Sequence, residues 1–138
     1  MNIPTQSDWQ AKAAALRFPY QAFIDGKHVD ALSGATFDAL SPIDGAVLAK
    51  VARCDQADVG RAVQVARRAF EAGHWSNSKP THRKKVLVKF AQLIHDHREE
   101  LALLESLDMG KPVMDALNVD VAASVRCMSW TGEAIDKV

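Results

Sequence analysis

By residue type, chemistry in this chain could come from histidine, cysteine or a glycine–lysine pair. Five histidines are present: His28, His74, His82, His95 and His97. Two imidazoles that share a metal from one helix stand four residues apart, on one face. His95 and His97 stand two apart and point to different faces, so the pattern reads as solvated helix and turn residues. Cys54 falls at a strand-to-helix boundary, and Cys127 falls mid-helix beside Arg126. A neighbouring guanidinium can lower a thiol pKa, but neither cysteine has an identifiable partner base. A small buried or half-buried core cysteine is the commoner case. Gly110-Lys111 invites a phosphate-loop reading. That loop needs a glycine five residues before its second glycine and Ser or Thr after the lysine. Glu105 and Pro112 stand there instead, and a helix-breaking turn is the better account. The glycine-rich dinucleotide fingerprint is also lacking.

A basic cluster, Lys79, Arg83, Lys84, Lys85 and Lys89, is the other group with functional potential. Its neighbour Phe90 belongs to the apolar side of the same helix, where it is unavailable for base stacking. The cluster therefore reads as a solvated face or a contact between subunits rather than a nucleic-acid site. The charge balance agrees. Seventeen Lys and Arg offset seventeen Asp and Glu over 138 residues, so no general attraction to nucleic acid or acidic membrane is expected. Hydrophobic residues at 48% and charged residues at 25% exclude a disordered chain. No apolar run approaches the ~18 residues of a membrane span. Two cysteines make no disulfide framework. The first residues carry neither a secretory nor a transit signature. Together these make the cytoplasm the expected compartment.

The elements that must position any site alternate between two periods. Residues 8–17 read as a short helix capped by Asp8, with Trp9, Ala13 and Leu16 on one face. Asp25-Gly26 lies between short apolar runs and predicts a hairpin over residues 23–29. Phe37 to Leu40 predicts a second extended stretch, turned by residues 41–45 and returned by Val47 to Ala52. After Cys54 the period becomes helical. Asp55 is a good N-cap, Val59, Ala62, Val63, Ala66 and Phe70 share a face, and Gly73 stops the helix. Pro80 fits the first turn of the next helix, whose buried face is expected to be Val86, Leu87, Phe90, Leu93 and Ile94. Asp96, with Glu99 at capping-box spacing, predicts the start of another helix carrying Leu101, Leu104 and Leu107. Residues 108–112 break it. A last helix runs from about Val113, with Ala116, Leu117, Val121, Val125 and Met128 on or near one face. The fold class is α/β: small antiparallel ribbons followed by about four helices. The parallel strands that such helices should cover are missing, so exposed apolar faces are expected.

Several segments, in order, resemble one family. Phe23-Ile24-Asp25-Gly26 and Ser41-Pro42-Ile43-Asp44-Gly45 resemble the paired opening strands of the NAD(P)-dependent aldehyde dehydrogenases. Ala62-Val63 through Gly73 and Trp75 are similar to that family's first long helix and its Trp turn. Arg83, Leu87 and Glu100-Leu101 match its next helices. Residues 103–112, ending Leu107-Asp108-Met109-Gly110-Lys111-Pro112, resemble its Leu-Asp-x-Gly-Lys-Pro segment. Residues 132–137 are similar to the segment before its oxyanion-loop strand, and the ending resembles the branch acting on γ-aminobutyraldehyde and γ-glutamyl-aminobutyraldehyde.

The resemblance implies the N-terminal portion of a nucleotide-binding domain, incomplete as a domain. Residues 1–20 form an arm with a short helix, and residues 21–138 form the first, truncated part of the cofactor-binding domain. It implies oxidation of a small-molecule aldehyde to the acid with NAD or NADP, in a cytoplasmic homodimer or homotetramer without nucleic-acid or membrane partners. The family's catalytic Cys, general-base Glu, oxyanion Asn and cofactor-holding residues match no position here, so the stretch alone is expected to be inactive. The resemblance also implies a K+ or Na+ site using Ala39, Leu40 and Asp108, and a substrate tunnel wall at Asn118, Val119 and Ala123. The family often carries Thr where this chain has Ala39 and Asn where it has Ser41; a backbone carbonyl survives the Thr-to-Ala change, but side-chain coordination there would be lost. The alternative from another class is a free-standing helical binding or assembly module that kept a dehydrogenase opening and lost its chemistry.

Overall fold

A computed structural model describes residues 4–137. The chain opens with α1 (Gln6–Ala15), whose N-cap is Thr5 rather than Asp8. Asp8 sits at the third helical position of a capping box. Its carboxylate accepts from the Thr5 N–H at 2.8 Å while its own N–H donates to the Thr5 hydroxyl at 3.3 Å. The reciprocal pair satisfies two groups that a cap at Asp8 would have left open, so the helix starts earlier than expected. Trp9 is buried, and Ala13 and Leu16 are half-buried on its side.

Two antiparallel ribbons follow, β1 (Ala22–Ile24) with β2 (Lys27–Val29), and β3 (Thr36–Leu40) with β4 (Val47–Ala52). The first closes on Asp25-Gly26, both left-handed at φ 58° and 73°, as a tight two-residue hairpin requires. In the second, Ala39 pairs with Ala49 but Leu40 pairs with Val47, leaving a bulge at Leu48.

The helices are α2 (Gln56–Ala72), α3 (Pro80–Asp96), α4 (Arg98–Met109), a single turn α5 (Val113–Asp115), a π-helical turn (Ala116–Val121) and α6 (Ala122–Ala134). Asp55 caps α2 and left-handed Gly73 ends it. The expected cap at Asp96 is absent, because α3 and α4 nearly join. The His97 N–H donates to Leu93 O at 3.1 Å and the Leu101 N–H donates to His97 O at 3.0 Å. With the backbone bonds running through the bend, Asp96 ends α3 and accepts from Gln92 instead. Gly110, at φ 74°, closes α4.

α6 lies along α3, and the π-helical turn lies against α4. The small core is Ala102, Ala116 and Val121, with Ile94, Val113 and Leu117 packed around it. Gly132 sits where α6 meets α3. A Cβ there would stand 3.2 Å from both Leu87 Cβ and Val88 Cγ2. The apolar face expected of α3 is therefore split. α6 covers the side carrying Leu87 and Ala91, while Val86, Phe90 and Leu93 remain exposed. Phe90, expected to be withdrawn from solvent, is 48% exposed. The face of α2 is uncovered too, with Val59, Val63 and Phe70 exposed. Exposed apolar faces were expected, and they extend along two helices. Among the described residues, no helix is long and apolar enough to cross a membrane.

Candidate functional site

The residues assigned to a cation fall on two elements that meet. β3 brings Ala39 to the wall of a cavity of about 350 Å³, and the last turns of α4 bring Glu105 and Asp108 to the same wall. Left-handed Gly110 allows the approach: its Cα side faces Pro42, whose Cγ would lie 3.1 Å from an added Cβ. Leu40, just past the bulge, is exposed and does not share the cavity wall. A hard cation needs oxygen ligands. Asp108 and Glu105 supply carboxylates. The rest of the wall is apolar, including Phe18, Leu48 and Met109. The side-chain oxygens on this wall are those of Asp108 and Glu105. Beside it, the turn of residues 41–45 is closed by its own bonds. Ser41 is buried and accepts from the Ile43 N–H at 3.2 Å. Asp44 accepts from the Ala46 N–H at 3.0 Å, which, with the Ser41 hydroxyl, holds its carboxyl below the usual carboxylate range.

The residues assigned to a tunnel wall lie on the π-helical turn and the start of α6. Val119 and Ala123 are both exposed and four residues apart. Asn118 lines a different hollow of about 420 Å³, together with His95, Arg98, Met114 and Leu117. Neither Val119 nor Ala123 lines that hollow.

Two charged arrangements escaped the sequence reading. Lys111 pairs with Asp120 across nine residues, both side chains about one-third exposed. The Asp120 hydrogen bond raises the Lys111 pKa above its ordinary value. Ser106 Oγ donates to Lys111 O at 2.6 Å, fixing that backbone to α4. Spacing gave no hint of this pair, since nine residues match no helical repeat. Lys84, read as part of a basic face, turns toward α6 and pairs with Glu133 at 2.7 Å and Asp136 at 3.2 Å. These bonds raise the Lys84 pKa. Lys84 and then Lys137 hold the Glu133 and Asp136 carboxyls below their usual range.

The remaining candidates stay scattered. His97 Nδ1 lies 3.2 Å from Glu100 Oε2. Among the described residues, no three His, Cys, Asp or Glu side chains gather as a metal set. Cys54 and Cys127 are both exposed, not the half-buried core residues expected.

Comparison with known proteins gives one answer. The model of the aldehyde dehydrogenase family matches residues 28–138. Aminoacetaldehyde dehydrogenase of Pseudomonas aeruginosa is 44% identical over 134 residues, which is 97% of this chain and 27% of that protein. The NADP/NAD-dependent aldehyde dehydrogenase PuuC of Escherichia coli is 45% identical over 138 residues, all of this chain and 28% of that protein. The crystal structure of γ-glutamyl-γ-aminobutyraldehyde dehydrogenase from Burkholderia cenocepacia superposes with a TM-score of 0.96 at 55% identity. The match covers 98% of this chain and 27% of that one. The chain thus spans little more than a quarter of the length of these relatives.

Proposed function

We propose that this chain, which belongs to the aldehyde dehydrogenase family, serves as the opening part of an NAD(P)-dependent enzyme that oxidises an amino- or guanidino-aldehyde to its acid. The observation that carries the reading is the agreement along nearly the whole chain with relatives described as acting on aminoacetaldehyde and γ-glutamyl-γ-aminobutyraldehyde. The uncovered faces of α2 and α3 support it, because such faces need further structure to bury them.

In this reading residues 1–20 are an arm and residues 21–138 open the cofactor-binding domain. The chemistry is not carried here. Acyl transfer needs an activated nucleophile, oxyanion donors and a base within hydrogen-bond reach. Cys54 and Cys127 match no catalytic cysteine motif of the family, and no residue of the stretch is assigned to NAD or NADP. What the stretch contributes is positional. Ala39 and Asp108 hold K+ or Na+ where β3 meets α4, with Leu40 outside that wall. Val119 and Ala123 form part of the wall along which the aldehyde enters, with the small Ala123 leaving room for a polar ω-substituent. The working enzyme is a cytoplasmic homodimer or homotetramer.

The test is made on protein captured from its source cells with an antibody against this region. The capture is assayed for NADH or NADPH formation with γ-aminobutyraldehyde, and its intact mass is measured. Aldehyde-dependent reduction by a species several times heavier than 15.1 kDa is expected. A soluble species of this chain's own mass without dehydrogenase activity would instead favour the binding or assembly module.

A further inference from the structure

We propose that Lys111 and Asp120 are positioning residues whose ion pair braces the π-helical turn Ala116–Val121 and so decides which side chains the last helix turns outward. The inference rests on the tunnel-wall reading above and deepens it.

The argument is one of period. Ala116 and Val121 share the small core with Ala102, yet they stand five residues apart. At 3.6 residues per turn, five residues leave two side chains about 140° apart, too far to meet one neighbour. Bonding from i to i+5 over Ala116–Val121 brings them to one side. Were the helix uninterrupted, with Ala116 still inward, the residues three, four and seven further on would follow it. Those are Val119, Asp120 and Ala123. The extra residue of the π turn replaces them with Val121 and half-buried Val125, and leaves Val119 and Ala123 exposed. The outward face is a product of the turn.

A π-helical turn is rare because it gives up good α-helical geometry, so something must offset it. Packing of Ala116 and Val121 on Ala102 is one contribution. Ser124 Oγ donates to Asp120 O at 2.9 Å, occupying a carbonyl inside the irregular turn. The third is the Asp120 carboxylate on the Lys111 ammonium. Lys111 is a fixed point, since it follows left-handed Gly110 and its carbonyl accepts from Ser106 Oγ. The pair therefore ties the turn to the end of α4 across α5.

The test uses the intact native polypeptide that carries these residues, in four forms: Asp120→Asn, Lys111→Gln, Lys111→Arg, and the charge-reversed double variant Lys111→Asp with Asp120→Lys. Lys111→Gln lies outside the helix and keeps the test available should Asp120→Asn fail to fold. Two readouts are taken: methyl contacts between Ala102 and Val121 by NMR, and kcat/KM over a series of ω-amino aldehydes of rising length. Single neutral variants are expected to lose the Ala102–Val121 contact and to shift the long-to-short preference about tenfold, the scale of a one-methylene misfit. The shift should fall mainly on KM, as for lost binding. Lys111→Arg and the double variant should restore both readouts. An unchanged Ala102–Val121 contact in both neutral variants would overturn the proposal. A lost contact with unchanged preference would overturn it as well. Ala123→Met then separates the two ideas: if it shifts the preference, only the bracing role has failed, and if it does not, the tunnel-wall reading has failed with it.

Discussion

Replacing Gly132 by alanine puts one methyl group where α6 crosses α3. Its carbon would stand 3.2 Å from Leu87 Cβ and Val88 Cγ2, and 3.5 Å from Lys84 O. None of these is the far end of a flexible side chain, so the helices themselves must separate by a few tenths of an ångström. Overpacking of this kind costs about 1–3 kcal/mol. Alanine also gains about 1 kcal/mol of helix propensity over glycine. The net expectation for Gly132→Ala is a loss of about 1 kcal/mol. Gly60, within α2, is the matched control, because a Cβ there meets nothing within 4 Å. Gly60→Ala keeps the propensity gain without the clash and should stabilise by about 0.5–1 kcal/mol. The propensity term cancels between the two variants, so their difference of about 1–3 kcal/mol isolates the helix crossing. Urea unfolding followed by far-UV circular dichroism, at one protein concentration and with unchanged slope, measures it. Equal stabilisation by the two substitutions would refute the close approach of α6 to α3.

Asp58 is 2% exposed and accepts from the Leu32 N–H at 3.0 Å and the Asp55 N–H at 3.1 Å. Asp58→Ala should cost about 2 kcal/mol in urea unfolding, and Asp58→Asn, with one acceptor oxygen, about half of that. The depressed Glu133 and Asp136 carboxyls contribute stability that is present above the ordinary carboxylate range and lost as pH falls through their folded-state values. The raised Lys84 contributes below its ordinary pKa and loses that contribution only in strong alkali. Lys84→Met should therefore flatten the loss of urea midpoint between pH 7 and about pH 3. For the cation site, the thermal midpoint should be higher in potassium chloride than in choline chloride at equal ionic strength, and Asp108→Ala should abolish the difference. A wild-type protein indifferent to the two salts would remove the site.

Local chemistry made most elements readable from sequence. Asp25-Gly26, Asp55, Gly73, Pro80 and Gly110 each act within a few residues, and each does what its type dictates. What failed depends on partners distant in sequence. The capping duty of Asp96 vanished because the backbone bonds of α3 run on through His97 into α4, which no residue type announces. The apolar stripe of α3 was identified correctly as apolar, but only α6 decides which part is covered. The π turn was hidden because Ala116 and Leu117 both look inward, and Leu117 alone satisfies the α-helical spacing to Val121. The assigned cation and tunnel residues came from family wording rather than periodicity. The structure puts Ala39 and Asp108 on one wall without Leu40, and puts Asn118 on a hollow that Val119 and Ala123 do not line.

The isolation of α2 has a consequence for how the molecule opens. Among the described residues that helix shares no extended packing with any other element, and its buried anchor is Asp58, bonded back to Leu32. A helix held at one end should unlock without waiting for α3, α4 and α6, which hold one another. Amide hydrogen exchange should therefore fall into two tiers. The α2 amides exchange early and together, starting from the Gly73 end. Those of α4 and the inward side of α6 are released only when the core of Ala102, Ala116 and Val121 comes apart. Anything that settles onto Val59, Val63 and Phe70 would merge the tiers, so the exchange pattern is itself a gauge of whether that face has found its cover.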